Sequence, residues 1–219
     1  TRRYIHQHPE LSFSEYETSK FIQSILTNHN IEFESEIVGT GIVATVKGHK
    51  AGKVRAIRAE LDALPILEKN EVDYKSIKEG LMHACGHDVH MTCVLGAAII
   101  LNQHKSDLEG TVHFIFQPGE EKLPGGASLM IKEGFFEKYK PEYIIAQHVY
   151  PNLKAGQIGI CAGQYMASSD EIYITVKGKG GHGALPHLSV DTVLVASEMI
   201  VALQNIVSRN ANPLIPSVL

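Results

Sequence analysis

A stretch of nine residues, 82–90, combines one thiol, three imidazoles and one carboxylate. Within it a single glycine separates Cys85 from His87, so both side chains can approach one ion from the same tight turn. A thiolate and an imidazole are ligands that a divalent transition ion accepts readily. The alternative is a buried cysteine beside solvent-facing histidines. Two clusters further along the chain favour the metal site, because they supply the groups that this one lacks.

Two adjacent carboxylates, Glu120 and Glu121, follow the apolar run 112–116 and a Pro-Gly pair. The run is typical of a buried strand that the proline ends. In open α/β sheets, ligands bind at the carboxyl ends of strands. Neighbouring side chains leaving a strand point to different sides, so one carboxylate can hold metal while the other handles a proton. The alternative is a solvated acidic turn.

Three further histidines lie close to these motifs or to a strand end. His148 follows the apolar residues that begin at Tyr143, and it is either a ligand or an ordinary residue at the rim of the sheet. His83 and His90 flank the cysteine motif. They are either partners that fix the orientation of ligands or merely structural residues.

Strands and helices alternate along the part of the chain that carries these groups. The apolar spacing predicts helices over 15–28, 88–101 and a segment ending near Gly134, and strands over 42–46, 54–61, 112–116 and 143–149. The succession from residue 54 onward predicts an α/β fold with a mostly parallel sheet and helices on both faces.

The pattern changes after Pro151. The sequence predicts a short strand over 157–161, a half-exposed strand over 171–177, a glycine-rich loop and a long amphipathic helix over 190–207. So few elements cannot form a stable domain alone. We therefore expect a catalytic domain over 1–162 and the start of a smaller α+β lid or dimerisation domain over 163–219, with the chain cut short.

Composition excludes several classes of function. The 219 residues suffice for one large domain or for one domain and part of another. The net charge of −4 and the lack of a basic stripe argue against nucleic-acid binding. No uninterrupted apolar run approaches the roughly 18 residues that cross a bilayer. The three cysteines are too few for a disulfide framework, so a reducing compartment, the cytoplasm, is expected.

The motifs together resemble the amidohydrolase branch of the two-metal aminoacylase and carboxypeptidase superfamily. That branch includes hippurate hydrolases, indole-acetyl-amino-acid hydrolases and N-acyl-diaminopimelate deacetylases. The matching motifs are RYIHQHPEL at 3–11, RAELDALP at 58–65, HACGHD at 83–88, QPGEE at 117–121, His148, and GKGGHGALPH at 178–187. They occur in family order, and their combination is far more specific than any one alone.

The resemblance implies a role for each matching residue. It implies that the metal ligands are Cys85, His87, Glu121 and His148, with a last histidine ligand expected beyond residue 219. Glu120 matches the general base, and Asp62 matches the acidic residue that orients a metal-binding group. His182 matches a lid-domain histidine that contacts substrate, often from the partner subunit of a dimer. Glu60 departs from the pattern, because aspartate is usual there.

The expected function is metal-dependent hydrolysis of the amide bond of N-acyl amino acids. Mixed thiolate, imidazole and carboxylate ligands suit two divalent ions, zinc or manganese, with cobalt and nickel compatible. The expected partners are a small-molecule substrate and a second copy of the chain, bound through the lid domain. The rival enzyme is a metallo-carboxypeptidase or dipeptidase acting on short peptides. The alternative of another class is a non-catalytic metal-binding or dimerising fragment, against which the intact Glu120 counts.

Overall fold

A five-stranded sheet forms the centre of the first of two units in the computed structural model. The structure describes residues 1–163, 165–166 and 168–219. It divides them into the units Thr1–Asn152 and Leu153–Leu219. The domain boundary that the sequence predicts, after residue 162, lies ten residues beyond this division and stays a prediction.

The strands of the first unit form one mixed sheet in the order β1-β2-β4-β3-β5. Their bounds are β1 Glu32–Ile37, β2 Gly41–Lys47, β3 Lys50–Glu60, β4 Glu109–Gln117 and β5 Tyr143–Ala146. β3 pairs in parallel with β4 and β5, as the succession of elements predicts. The other two pairings, β1 with β2 and β2 with β4, are antiparallel. The α/β class is thus confirmed, and the sheet carries an antiparallel extension that the sequence pattern does not predict.

Helices cover both faces of the sheet. Their bounds are α1 Arg2–Gln7, α2 Tyr16–Asn28, α3 His87–Gln103, α4 Gly126–Lys132 and α5 Phe135–Tyr139. Successive residues of a strand point to opposite faces. Phe114 and Phe116 of β4 are therefore buried with Leu26 and Leu95 of α2 and α3. Ile115 is buried on the other face with residues of α4 and α5.

Helix α3 begins beside the predicted metal-binding turn. Gly86 precedes it with φ of +88°, a left-handed conformation that glycine adopts without strain. The helix then runs for 17 residues, of which Met91, Val94, Leu95 and Ala98 are buried in the core. Its apolar character agrees with the prediction of a buried helix. The packing of α3 on the sheet consequently fixes where its first residue, His87, lies.

The second unit contains less regular structure than the sequence predicts. Residues 157–161 and 171–177 are all described, and neither segment forms a strand, so both strand predictions are wrong. The alternating pattern of 171–177 needs a neighbouring strand to supply hydrogen bonds, and the described residues of this unit contain none. The helix prediction is confirmed as α6, Thr192–Asn205, which Asp191 caps by accepting the N–H groups of Val193 and Leu194.

The last helix is strongly apolar. By length and composition alone, the helical segment Thr192–Asn210 is able to cross a membrane, although polar residues interrupt its apolar sequence. One such helix is weak evidence, because a core helix of a soluble protein meets the same criterion. Ile200 and Val201 are among its exposed side chains.

The burial of the sheet predicts that alanine substitutions at two phenylalanines lower the free energy of unfolding by very different amounts. Phe114 is fully buried at the centre of the sheet, whereas Phe136 on α5 is 43% exposed. We expect Phe114→Ala to lower the free energy of unfolding by about 3–5 kcal/mol, because it removes buried apolar contacts and leaves a cavity. Urea denaturation of the complete protein measures the change. Phe136→Ala is the matched control, and an equal loss in both variants would contradict this account of the core.

Candidate metal centre

The predicted site residues of the first unit lie at one edge of the sheet. Glu120 and Glu121 follow the carboxyl end of β4, and His148 lies two residues beyond β5. Cys85 and His87 lie where the chain enters α3. Because β3, β4 and β5 are parallel, their carboxyl ends are adjacent. Residues that are far apart in sequence therefore meet at this edge.

The candidate ligand atoms converge closely. Atoms of Cys85, His87 and Glu121 all lie within 4.8 Å of one another. The Cys85 Sγ is 3.2 Å from His148 Nε2. The His87 Nε2 is 3.8 Å from a carboxylate oxygen of Glu121 and 3.9 Å from one of Glu120. The structure thus brings together one sulfur, two imidazole nitrogens and two carboxylates.

Backbone carbonyls fix the proton on each of the two imidazoles. The His87 Nδ1 lies 2.7 Å from the carbonyl oxygen of Asp62, and the His148 Nδ1 lies 2.8 Å from that of Val149. A carbonyl only accepts hydrogen bonds, so each Nδ1 donates and each neutral ring keeps its lone pair on Nε2. This is the arrangement usual for metal-binding histidines.

The buried carboxylate of Asp62 lies beside the candidate ligands. Its Oδ2 accepts the Ser12 hydroxyl at 2.6 Å and the Glu121 N–H at 2.9 Å, while its Oδ1 lies 3.5 Å from His87 Nδ1. Burial alone would raise the pKa of Asp62, but hydrogen bonds from His87, Ser12 and the backbone outweigh it and lower the pKa to about 2. Asp62 is therefore a buried anion that contacts the segments bearing His87 and Glu121.

The residues present fit a divalent cation. One buried oxygen of Glu121 lacks a hydrogen-bond partner among the described residues, and such an atom is costly unless a donor or a cation compensates it. Burial and the charges of Glu121 and Glu120 raise the pKa of the Cys85 thiol to about 12, so a thiolate here requires positive charge nearby. Sulfur, nitrogen and oxygen donors together suit zinc and its neighbours.

Residues 13–15 support the loop that carries Glu120 and Glu121, a role that no sequence motif indicates. Glu15 is fully buried and accepts the N–H groups of Phe13 and Gly119 and the hydroxyl of Thr40, at 2.9, 2.8 and 2.6 Å. The Phe13 ring lies so close to Gly119 that a Cβ there would be 2.4 Å from it. The segment thus fixes the backbone just before Glu120. A carboxylate placed just before α2 looks like an ordinary solvent-exposed residue in the sequence, so only its hydrogen bonds reveal this role.

His182 belongs to the unit Leu153–Leu219. The Ala184 N–H donates to its Nδ1 at 3.0 Å, which leaves the proton of the neutral ring on Nε2. The side chain is exposed. Its Nε2–H has no acceptor among the described residues, so it is available to donate a hydrogen bond to a ligand.

The two cysteines of this region provide a test of the candidate ligands. We expect Cys85→Ser to weaken divalent-ion binding by at least about 100-fold, because loss of an outer partner of a ligand already costs 10–100-fold. Cys93→Ser is the control, since Cys93 is an exposed residue on α3. Competition with a chelator measures both affinities. Equal affinities in the two variants would remove Cys85 from the ligand set.

Comparisons with known proteins identify relatives of this chain. A profile of Peptidase family M20/M25/M40 matches residues 56–216. The chain is 42% identical over 218 residues to an N-acyl-L-amino acid amidohydrolase of Geobacillus stearothermophilus, covering 100% of this chain and 58% of the relative. It is 44% identical over 214 residues to an N-acetylcysteine deacetylase of Bacillus subtilis, covering 97% of this chain and 56% of the relative.

A solved structure of the same family is also similar. The Bacillus subtilis YxeP protein, described as a dinuclear metal binding peptidase from the M20 family, matches with a TM-score of 0.70 and 44% identity. The match covers 74% of this chain and 45% of that one. The chain spans about half the length of the relatives it matches. The family profile covers most of its residues, and the resemblance seen in the motifs is confirmed: the chain belongs to Peptidase family M20/M25/M40.

Proposed function

We propose that the protein carrying this chain is a metal-dependent amidohydrolase that cleaves the amide bond of N-acyl amino acids. The observation that carries the proposal is the convergence of Cys85, His87, Glu121 and His148 beside a further carboxylate, Glu120. The similarity to an N-acyl-L-amino acid amidohydrolase and an N-acetylcysteine deacetylase supports the substrate class.

The proposed cofactor is a pair of divalent ions, zinc or manganese, with cobalt and nickel compatible. The proposed ligands within this chain are Cys85, His87, Glu121 and His148, and the description of the YxeP protein supports two ions rather than one. When bound, such a pair lowers the pKa of a water molecule and polarises a carbonyl oxygen. The side chains supply orientation, charge and proton transfer.

Glu120 is the proposed general base. Its carboxylate lies 3.9 Å from His87 Nε2, and its side chain is 40% exposed, so water and substrate can reach it. Burial and the charge of Glu121 raise its pKa, which brings it closer to the working pH and suits a group that accepts a proton and returns it. Asp62 holds the backbone of the adjacent Glu121 and the ring of His87 in place.

Residues 163–219, which make up most of the second unit, are the proposed start of a lid or dimerisation domain. Within it, His182 is the proposed donor to the carbonyl oxygen of the substrate, because its Nε2–H meets no acceptor in the part of the chain that the structure describes. The exposed apolar side chains of α6 suit an interface with a second copy of the protein. The proposed location is the cytoplasm, where Cys85 stays reduced.

Substitution of the two adjacent carboxylates separates their roles. We expect Glu120→Gln to lower kcat by about 10²–10⁴-fold with unchanged metal content, because it removes only proton transfer. Glu121→Gln is the contrast, and it should lower metal content as well as activity. Elemental analysis and initial rates on the complete protein measure both effects. Normal turnover in Glu120→Gln would refute its assignment as the base.

The rival function is hydrolysis of short peptides, which the similarity to the YxeP protein, a dinuclear metal binding peptidase, favours. A substrate panel decides between the two functions. N-acetyl, N-benzoyl and N-indolylacetyl amino acids are compared with dipeptides on the complete protein at a defined metal content. The proposal requires a higher kcat/KM for at least one N-acyl amino acid than for every dipeptide. The reverse order supports the peptidase, and the absence of hydrolysis of either class supports a non-catalytic protein.

A further inference from the structure

The backbone of Val149 links the two histidine-bearing segments of the candidate metal centre. Its carbonyl accepts the Nδ1–H of His148, and its N–H donates to the Nε2 of His90 at 3.0 Å. Its side chain packs against Gly86, where an added Cβ would be only 2.4 Å from Val149 Cγ2. Gly86 lies between Cys85 and His87. The position of Val149 therefore determines where His148 lies relative to the cysteine turn.

His90 is buried, and both of its nitrogens are used within the protein. Because Nε2 accepts a hydrogen bond from Val149, the proton of the neutral ring lies on Nδ1. The Nδ1–H donates to Glu60 Oε2 at 2.8 Å. The ring also lies against His148, with 4.7 Å between the two ring centres.

The chain of contacts continues from Glu60 across the sheet. Glu60 Oε1 forms an ion pair with Arg58 at 2.7 Å. The Nε–H of Arg58 donates to the side-chain oxygen of Gln117 at 2.7 Å. Gln117 ends β4, three residues before Glu120. These contacts therefore join the loop that carries Glu120, the strand β3, the helix α3 and the segment after β5. In order, they link Gln117, Arg58, Glu60, His90 and Val149.

A second metal site is the competing explanation, because Glu60, His87 and His90 offer atoms within 4.8 Å of one another. The hydrogen bonds argue against it. The lone pair of His90 accepts the Val149 N–H, and Glu60 is held by both Arg58 and His90. Considering the described residues, His87 is the one member of the three with a ring nitrogen, Nε2, that accepts no hydrogen bond, and this atom faces Glu121. His90 is thus equipped to hold a backbone segment rather than an ion.

We propose that His90 is a positioning residue that sets the place of His148 in the metal centre through the Val149 N–H. The inference rests on the proposed metal centre. Its physical basis is the order of the short segment beyond β5 that carries His148. If this segment is not held in place before the ion binds, the cost of ordering it reduces the free energy of metal binding. Loss of such an outer partner typically lowers metal affinity about 10–100-fold.

Three substitutions at position 90 separate the two hydrogen bonds. His90→Phe keeps a ring and removes both bonds. The amide of His90→Gln reaches the Nε2 position, so its oxygen can still accept the Val149 N–H. The amide of His90→Asn reaches the Nδ1 position, so it keeps only the bond to Glu60. His104→Phe is the control, because His104 is exposed at the end of the same helix.

The measurement is titration of the metal-free complete protein with Co²⁺. The near-ultraviolet charge-transfer band of a cobalt-bound thiolate reports binding at Cys85, and a competing chelator gives the affinity. We expect His90→Phe and His90→Asn to bind Co²⁺ about 10–100-fold more weakly than His104→Phe. His90→Gln should retain most of the affinity.

Each outcome decides one question. Equal affinities for His90→Phe and His104→Phe overturn the inference. If His90→Phe does not fold, as judged by circular dichroism of the metal-free protein, the amide variants decide: Asn weaker than Gln supports the inference, and equal affinities overturn it. If the unsubstituted protein shows no thiolate band with Co²⁺, the proposed metal centre itself fails, whatever the variants do.

Discussion

Parallel pairing of β3 with both β4 and β5 is the constraint on which the candidate site depends. Parallel neighbours end at the same edge of a sheet, so the segments that follow these three strands are adjacent in space. One segment carries Asp62, one carries Glu120 and Glu121, and one carries His148. Helix α3 packs on β3 and begins at this edge, which brings the cysteine turn to the same place.

Hydrogen bonds to buried carboxylates then fix the positions of the segments that the sheet edge brings close together. A buried carboxylate is costly unless it accepts hydrogen bonds, and removing one of its partners is strongly destabilising. Glu15 and Asp62 are both fully buried, and their partners include the backbone N–H groups of Gly119 and Glu121. The bonds that make the burial tolerable therefore also hold the loop of the proposed base. Stability and geometry of the site depend on the same contacts.

The sequence predicts the parts of this structure that depend on local pattern. The helices over 15–28 and 88–101 and the strands that pair in parallel are apolar at regular spacing, and all of them form. The sequence does not predict the antiparallel strand β1, because its glutamates at alternate positions give little apolar signal. The strands expected over 157–161 and 171–177 do not form, since alternation alone does not supply a partner strand. The support from Glu15 depends on contacts over 104 residues of sequence, which no local pattern encodes.

The same limit applies to the histidines, whose roles depend on which backbone group each one meets. A carbonyl at Nδ1 leaves the lone pair of His87 and His148 on Nε2, where it faces the other candidate ligands. A backbone N–H at Nε2 occupies the lone pair of His90, although His90 is only three residues from His87 and equally buried. Residue type and spacing therefore identify a group of candidates, and the division into ligands and supports follows from tertiary hydrogen bonding. In this chain the backbone of Val149 determines the roles of two rings. Its carbonyl leaves the lone pair of His148 on Nε2 for a metal ion, and its N–H occupies the lone pair of His90.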